Sequence, residues 1–375
     1  MSPSTDEAPS ETAILTIDLG ALAANYRRLC ELVAPAECGA VVKADAYGLG
    51  MAEAALALAR AGCNTFFVAT LAEAKDLRVL LPRAIIYVFS GLMPGTAEIY
   101  RAHELRPVLN SADEIREWAE FCAGRGEKLP CAVHIDSGMN RLGLSAAEVD
   151  QVAQMRELWQ AFTLALVMSH LACSDEPAHP KNEKQRKLFD KARARLPQAV
   201  ASLANSAGIL LGPDFVYDLV RPGIALYGGQ PRREGKNPFQ PVVHLAGRIL
   251  QVRDAVPGET VGYGATRTLR RPTRIAVVSV GYADGFFRAL SAKDGQEGFV
   301  AFAGSHPAPI LGRVSMDLIT VDVTRVPEDL SRRGAFVELI GPNVPPQVMA
   351  HHAGTIDYEV LTNLGRRAFR RYIGG

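Results

Sequence analysis

The chain has 375 residues, 48% hydrophobic and 22% charged, the composition of a globular protein large enough for two domains. Its 41 lysines and arginines balance 40 aspartates and glutamates, for a formal net charge of +1. That balance excludes a bulk electrostatic case for nucleic acid or a membrane surface as partner, and leaves open a small acidic metabolite held by a few local cations.

The leader MSPSTDEAPSETA is polar, acidic and rich in Pro and Ser, with neither the basic start nor the apolar stretch of a signal peptide. Residues 1–12 are therefore expected to be a disordered tail. No uncharged apolar run approaches the roughly 18 residues needed to span a bilayer, so a cytoplasmic protein is expected. Six scattered cysteines without a CxxC pair fit reduced thiols better than a disulfide framework or a zinc site, and no metal is expected.

From residue 38 short apolar runs alternate with helical patterns. CGAVVKA (38–44) reads as a strand and MAEAALALARAG (51–62) as an amphipathic helix ending at glycine. NTFFVAT (64–70) is a strand, and LAEAKDLRVL (71–80) a helix with its Glu and Lys spaced for a solvated face. AIIYVFS (84–90) precedes a short PGTAEIYRA helix. RPVLN (106–110) precedes SADEIREWAEFCA, where Ser111 and Glu114 have capping-box spacing. CAVHID (131–136) precedes SAAEVDQVAQM, and AFTLALVMSH (161–170) precedes NEKQRKLFDKARARL. AVASLAN (199–205) leads into a Ser-Ala-Gly turn, and VYDLVRPG (216–223) closes the series.

Eight apolar strands, most followed by a helix, predict an α/β protein with an N-terminal (β/α)8 TIM-type barrel. A doubly wound sheet is the rival, but the GxGxxG turn it usually carries after its first strand is absent. After about residue 238 the texture changes to short β-branched runs such as TRIAVVSVGYA, APILGRVS and LITVDVTRV, separated by Gly, Pro and Asp. Helical periodicity almost vanishes until residues 357–372. This half reads as a mainly-β domain over 238–375 following a barrel over 13–237, with NPFQP (237–241) at the junction.

Barrel active sites lie at the carboxyl ends of the strands. Lys43 follows the first, Arg141 the fifth beyond Asp136, His170 the sixth, Asn205 and Ser206 the seventh, and Arg221 with Gly223 the eighth. Each alone has a plain structural explanation: Lys43 as a loop lysine, His170 as a satisfied histidine, Arg221-Pro222 as a turn. Convergence on one mouth changes the balance. Small residues after strands seven and eight, Ser206-Ala207-Gly208 and Gly223-Ile224, leave room for a phosphate. A lysine after strand one with a phosphate cradle after strand eight points to pyridoxal phosphate, held as a Schiff base.

At these same places the chain resembles the alanine racemase family. VVKADAYGLG is similar to its cofactor-attachment segment. HIDSGMNRLGL, MSHLACSDE, ANSAG, VRPGIALYG, VGYGATR, GYADG, GRVSMD and DYEVLTNLGRR resemble further family segments in order, from about residue 12 to 372. The resemblance implies a racemase that interconverts L- and D-alanine with pyridoxal 5'-phosphate, supplying D-alanine for peptidoglycan or serving alanine catabolism. It also implies a head-to-tail homodimer with shared sites, and a strand near ILTID (14–18) that packs with the β domain.

By the resemblance, Lys43 serves as base on one face of the substrate and Tyr263, from the other subunit, on the opposite face. A tyrosine has a reference pKa of about 10, so Tyr263 needs a lowered one from a network expected to include His170 and Arg221. Arg221 would meet the cofactor's ring nitrogen as an obligate donor. Arg141 and the backbone of Met316 would hold the substrate carboxylate, with Asp317 orienting neighbouring groups. Tyr47, Tyr358, Ser206, Gly223 and Ile224 would reach the phosphate, with Asn205 beside them, and Tyr282 with Tyr358 would narrow the mouth to favour alanine. One departure stands out: where many members carry a carbamylated lysine that holds the arginine, this chain has His134. Arg141 must then be oriented by something else, with Asp136, water or an anion as candidates. Leu49 and Ser315 also replace the family's usual His and Cys. A broad-specificity or serine racemase, a basic amino acid decarboxylase of the same barrel type and a non-catalytic pyridoxal phosphate carrier are the competing readings. The decarboxylase lacks its glycine-triplet loop here, and the carrier has no use for a β domain.

Overall fold

The computed structural model describes residues 10–375, and the expected disordered tail lies for the most part outside the described residues. Seven parallel strands pair in chain order: Ala40–Val41, Thr65–Val68, Ile85–Val88, Arg106–Leu109, Pro130–His134, Thr163–Met168 and Val200–Ser202. The eighth, Leu219–Val220, pairs in parallel with Glu37–Cys38. Its ends reach both neighbours. The Gly39 and Val41 amides donate to the Val220 and Pro222 carbonyls at 3.0 and 2.9 Å, and the Asp218 and Arg221 amides donate to those of Ala201 and Ala204 at 3.1 and 2.9 Å. These bonds close the (β/α)8 ring. Its strands are buried on both faces, which is why they read as unbroken apolar runs.

The connecting helices carry their start signals in the expected places, with one correction. Thr70 with Glu73 and Ser145 with Glu148 form complete capping boxes. Ser111 accepts the Glu114 amide at 3.2 Å, but the Glu114 carboxylate does not return to Ser111. It accepts the Leu92 and Asn110 amides, each at 3.0 Å, because the neighbouring loop brings those unpaired donors to it.

The C-terminal half is built on one long strand, Val243–Ala255, antiparallel to Ala13–Asp18, Thr273–Val278 and Phe336–Ile340. Ala13–Asp18 therefore belongs to this sheet, where its other neighbour is the parallel strand Phe369–Ile373. That pairing corrects the expectation of helix over 357–372. The helix stops at Thr362, an earlier one spans Pro346–Ala353, and Phe369–Ile373 is a strand at the sheet's edge. The adjacent Arg370 and Arg371 broke the alternation by which it would have been read, a common property of edge strands. No helix among the described residues is long and apolar enough to cross a membrane.

The two halves meet at the turn after Lys43. Gly48 there has φ +84°, and a Cβ on it would lie 2.4 Å from the carbonyl oxygen of Leu361 in the Asp357–Thr362 helix. Gly48→Ala is expected to lower unfolding free energy by roughly 1–3 kcal/mol, read from urea titrations of the full chain. A variant as stable as the parent would show that this contact yields freely.

Candidate active site

The site begins with an unusual piece of backbone. Immediately after Lys43, the residues Ala44, Asp45, Ala46 and Tyr47 have φ of 53°, 55°, 53° and 57°, one left-handed turn made without glycine. Such a conformation costs roughly 1–2 kcal/mol per residue, so the surroundings must hold it. The Ala46 amide donates to Val42 C=O at 3.0 Å and the Gly50 amide to Asp45 C=O at 2.9 Å. Asp45 accepts the Met51 amide at 2.8 Å, and Glu73 accepts the Ala44 amide at 2.7 Å. The Tyr47 ring packs 4.8 Å from Tyr227 and 5.9 Å from Tyr358.

A cleft of about 710 Å³ opens over this turn at the carboxyl ends of the strands. Lys43, Tyr47, His134, Arg141 and His170 line it together. So do Asn205, Ser206, Arg221, Gly223, Ile224 and, from the C-terminal half, Tyr358. Arg221 is buried, and donates to Ser202 Oγ and, at 2.6 Å, to the carbonyl of Ser169. Burial pushes it down to about 9, which still leaves it charged at neutral pH. Ser206 Oγ accepts the amides of Gly223 and Ala225 at 2.9 and 3.2 Å, and Asn205 caps the turn beside it by accepting the Gly208 amide at 2.8 Å.

The cations of the cleft act on one another. Burial first, and then Arg141, lower the proton affinity of Lys43, with Glu73 opposing them. His170 is held well below its ordinary value by burial and by Arg221, Arg141, His134 and Lys43. Burial pushes His134 down to about 4, with Arg221 adding to it. Its Nδ1 lies 2.9 Å from Asn110 Oδ1, and Asn110 Nδ2 donates to the Val108 and Phe89 carbonyls at 2.8 and 3.2 Å. The amide is thereby oriented with its oxygen toward the ring, which places the histidine proton on Nδ1 and leaves Nε2 as an acceptor. Asp136 accepts the amides of Gly138, Met139 and Asn140 at 2.8, 2.7 and 2.9 Å. It fixes the loop that carries Arg141, whose side chain remains exposed.

Four residues expected at the site, Tyr263, Tyr282, Met316 and Asp317, lie elsewhere in the same chain. Tyr263, Tyr282 and Met316 are 72%, 43% and 53% exposed on the C-terminal half, and none lines the cleft. They are nonetheless organised. The amides of Tyr282 and Ala283 donate to the Ser315 and Met316 carbonyls, each at 3.0 Å. Arg367 donates to Asp317 at 2.6 Å and to Asp284 at 2.8 Å.

Comparison with known proteins gives this geometry a lineage. Residues 17–231 match the family model "Alanine racemase, N-terminal domain", and residues 242–372 match "Alanine racemase, C-terminal domain". The chain belongs to the alanine racemase family. A relative from Methylobacterium sp. (strain 4-46), named alanine racemase, is 51% identical over 96% of this chain and 98% of its own. Another, from Methylobacterium nodulans, is 50% identical over 98% and 97%. The crystal structure of alanine racemase from Bartonella henselae with covalently bound pyridoxal phosphate superposes with a TM-score of 0.92 at 42% identity, covering 96% of this chain and 99% of that one.

Several residues of this racemase-family site were not singled out by sequence. Ser169, inside the MSHLACSDE segment, and Ser202 hold Arg221, and Asn110 holds His134 from 24 positions away. Gln185, 1% exposed, donates to the His170 carbonyl at 2.9 Å and accepts the Ala172 amide at 2.8 Å. Glu73, expected on a solvated face, turns toward Lys43 instead; its capping-box spacing with Thr70 was the available clue.

The buried histidines set a pH dependence. The unfolded chain takes up a proton at His134 near its ordinary value of 6.5, which the folded protein refuses until about 4. Stability is therefore expected to be full above pH 6.5 and to fall as pH drops toward 4, by up to about 1.4 kcal/mol per pH unit for each such group. Urea midpoints at pH 7 and 5 measure this, and His134→Gln should shrink the difference between them.

Proposed function

We propose that the chain is an isomerase that interconverts L- and D-alanine with pyridoxal 5'-phosphate, as a cytoplasmic homodimer. In this reading Lys43 of one copy and Tyr263 of a second copy serve opposite faces of the substrate. The observation that carries it is one cleft holding Lys43, Arg221 and the Ser206–Gly223 turn together. The residues present fit the cofactor. At Gly223 a Cβ would fall 2.1 Å from the Tyr47 hydroxyl, so the absent side chain leaves room beside that hydroxyl and the Ser206 hydroxyl, where a phosphate could be held. Lys43 would hold the cofactor covalently, and Tyr47, Tyr358, Ser206, Gly223 and Ile224, with Asn205 beside them, would hold its phosphate.

When bound, pyridoxal phosphate supplies the electron withdrawal that loosens the α-proton of an amino acid. The side chains of the protein do the rest. Lys43, its proton affinity lowered by burial and Arg141, gives up its proton more readily than a free lysine and is suited to take a proton at Nζ and release it again. Arg221 keeps its charge and can only donate, so it would hold the cofactor's ring nitrogen as an acceptor, which would limit the electron withdrawal and favour prompt return of the proton. Arg141 and the backbone of Met316 of a second copy would fix the substrate carboxylate.

The exposure of Tyr263, Tyr282 and Met316, on the half of the chain away from its own cleft, supports delivery of these groups to another copy head-to-tail. Asp317 there would hold Arg367 and with it the Met316 backbone, and Tyr282 would narrow the mouth opposite Tyr358. His134, kept neutral by burial, would stand near Arg141 without adding charge.

Purified protein should carry the visible absorbance of lysine-bound pyridoxal phosphate, and Lys43→Ala should abolish it. Deuterium wash-in and optical rotation with a panel of L-amino acids should single out alanine. Tyr263→Phe should slow wash-in from one alanine enantiomer by roughly 10²–10⁴-fold and spare the other. Equal wash-in from both would remove the two-base assignment.

A further inference from the structure

One carboxylate ties the left-handed turn after Lys43 to the next unit of the barrel. Glu73 stands at the third position of the Leu71–Leu80 helix, where its role in the capping box needs only one oxygen. Glu73 Oε2 fills that role, accepting the Ala69 and Thr70 amides at 2.8 and 3.1 Å. Oε1 is thus free to cross to the preceding strand's turn and accept the Ala44 amide at 2.7 Å. Ala44 is the first of the four left-handed residues, so this bond begins the turn.

We propose that Glu73 is a positioning residue for proton transfer at Lys43: its Oε1 holds the amide of Ala44, and with it the turn that sets the lysine amine in the cleft. This rests on the reading of Lys43 given above. Geometry and charge agree. Burial and Arg141 disfavour the protonated lysine, and His170 adds its own charge whenever it is protonated. Glu73 opposes them. The Phe89 ring lies 5.9 Å from Nζ. Neutralising Glu73 leaves Arg141 unopposed, so Lys43 loses its proton at lower pH. Removing the carboxylate also frees the Ala44 amide, so the turn opens more often.

Two measurements on the full chain without cofactor test this independently of turnover. One is acylation of Lys43 by acetic anhydride against pH, followed by peptide mass spectrometry; the other is hydrogen exchange at the Ala44 amide. Glu73→Gln should lower the Lys43 midpoint by roughly 0.5–1.5 pH units, the range for a unit charge removed several ångströms away. Glu73→Ala should also raise Ala44 exchange by about 10-fold or more, the loss of one good hydrogen bond to charge. In the cofactor-loaded enzyme both should cut the turnover number on the order of 10-fold while KM for alanine stays within about twofold, since the lysine is displaced and Arg141 is not.

Thr70→Ala is the control, because Thr70 caps the same helix through the Glu73 amide without touching Ala44. If it reproduces both effects, Glu73 is only a helix cap and the proposal falls. An unmoved Lys43 midpoint in Glu73→Gln, which keeps the shape of the side chain, overturns it as well. If instead the parent protein binds no cofactor while the midpoint still shifts, the cofactor reading fails and the link from Glu73 to Lys43 stands.

Discussion

The constraint on which this site depends is the reversal of backbone handedness directly after Lys43. An ordinary right-handed start to the next helix would carry Tyr47 away from the eighth strand. Four left-handed residues instead fold the chain back, so Tyr47 comes to lie against Tyr227 and Gly223 while Lys43 stays at the end of the first strand. The conformational cost is met from three sides: Glu73 from the following unit, Asp45 from within the turn, and the Leu361 region from the C-terminal half. The C-terminal half therefore shapes the cleft of its own chain as well as displaying Tyr263 outward.

Electrostatics follow from this geometry. Lys43, Arg141 and Arg221 converge with two histidines, and the histidines avoid adding to the repulsion by staying neutral. Hydrogen bonds rather than opposing charges secure the deepest member. Arg221 is held by a serine hydroxyl and a carbonyl. A cleft wired in this way keeps its positive field for a ligand rather than spending it within the protein, and suits a molecule that bears a phosphate at one end and a carboxylate at the other.

Much of this was legible in the sequence, because strand ends in a closed parallel barrel must face one mouth. Counting eight apolar runs was enough to bring Lys43, His170, Ser206 and Arg221 together. What stayed illegible had specific causes. Ala-Asp-Ala-Tyr has no glycine to announce positive φ, and its propensities favour a right-handed helix. Asn110 and Gln185 act through side chains on elements far away in sequence, where no local spacing marks them. Glu73 matched two patterns at once, the solvated face and the capping box, and only the packing of neighbouring units decides between them. Phe369–Ile373 was hidden by its arginines. Tyr263, Tyr282, Met316 and Asp317 were named by motif, and in a single chain they lie outside the cleft.

The parallel pairing of Ala13–Asp18 with Phe369–Ile373 has a bearing on how the protein is made. Thr16 and Arg371 touch across 355 positions, and every barrel strand lies between them. A ribosome must therefore finish nearly all of the polypeptide before the first strand finds that neighbour, while each barrel unit meets its partner soon after synthesis. The barrel can thus take shape early, with an apolar strand waiting unpaired ahead of it. That waiting strand is the segment most exposed to mispairing and the one on which a chaperone would have most to do.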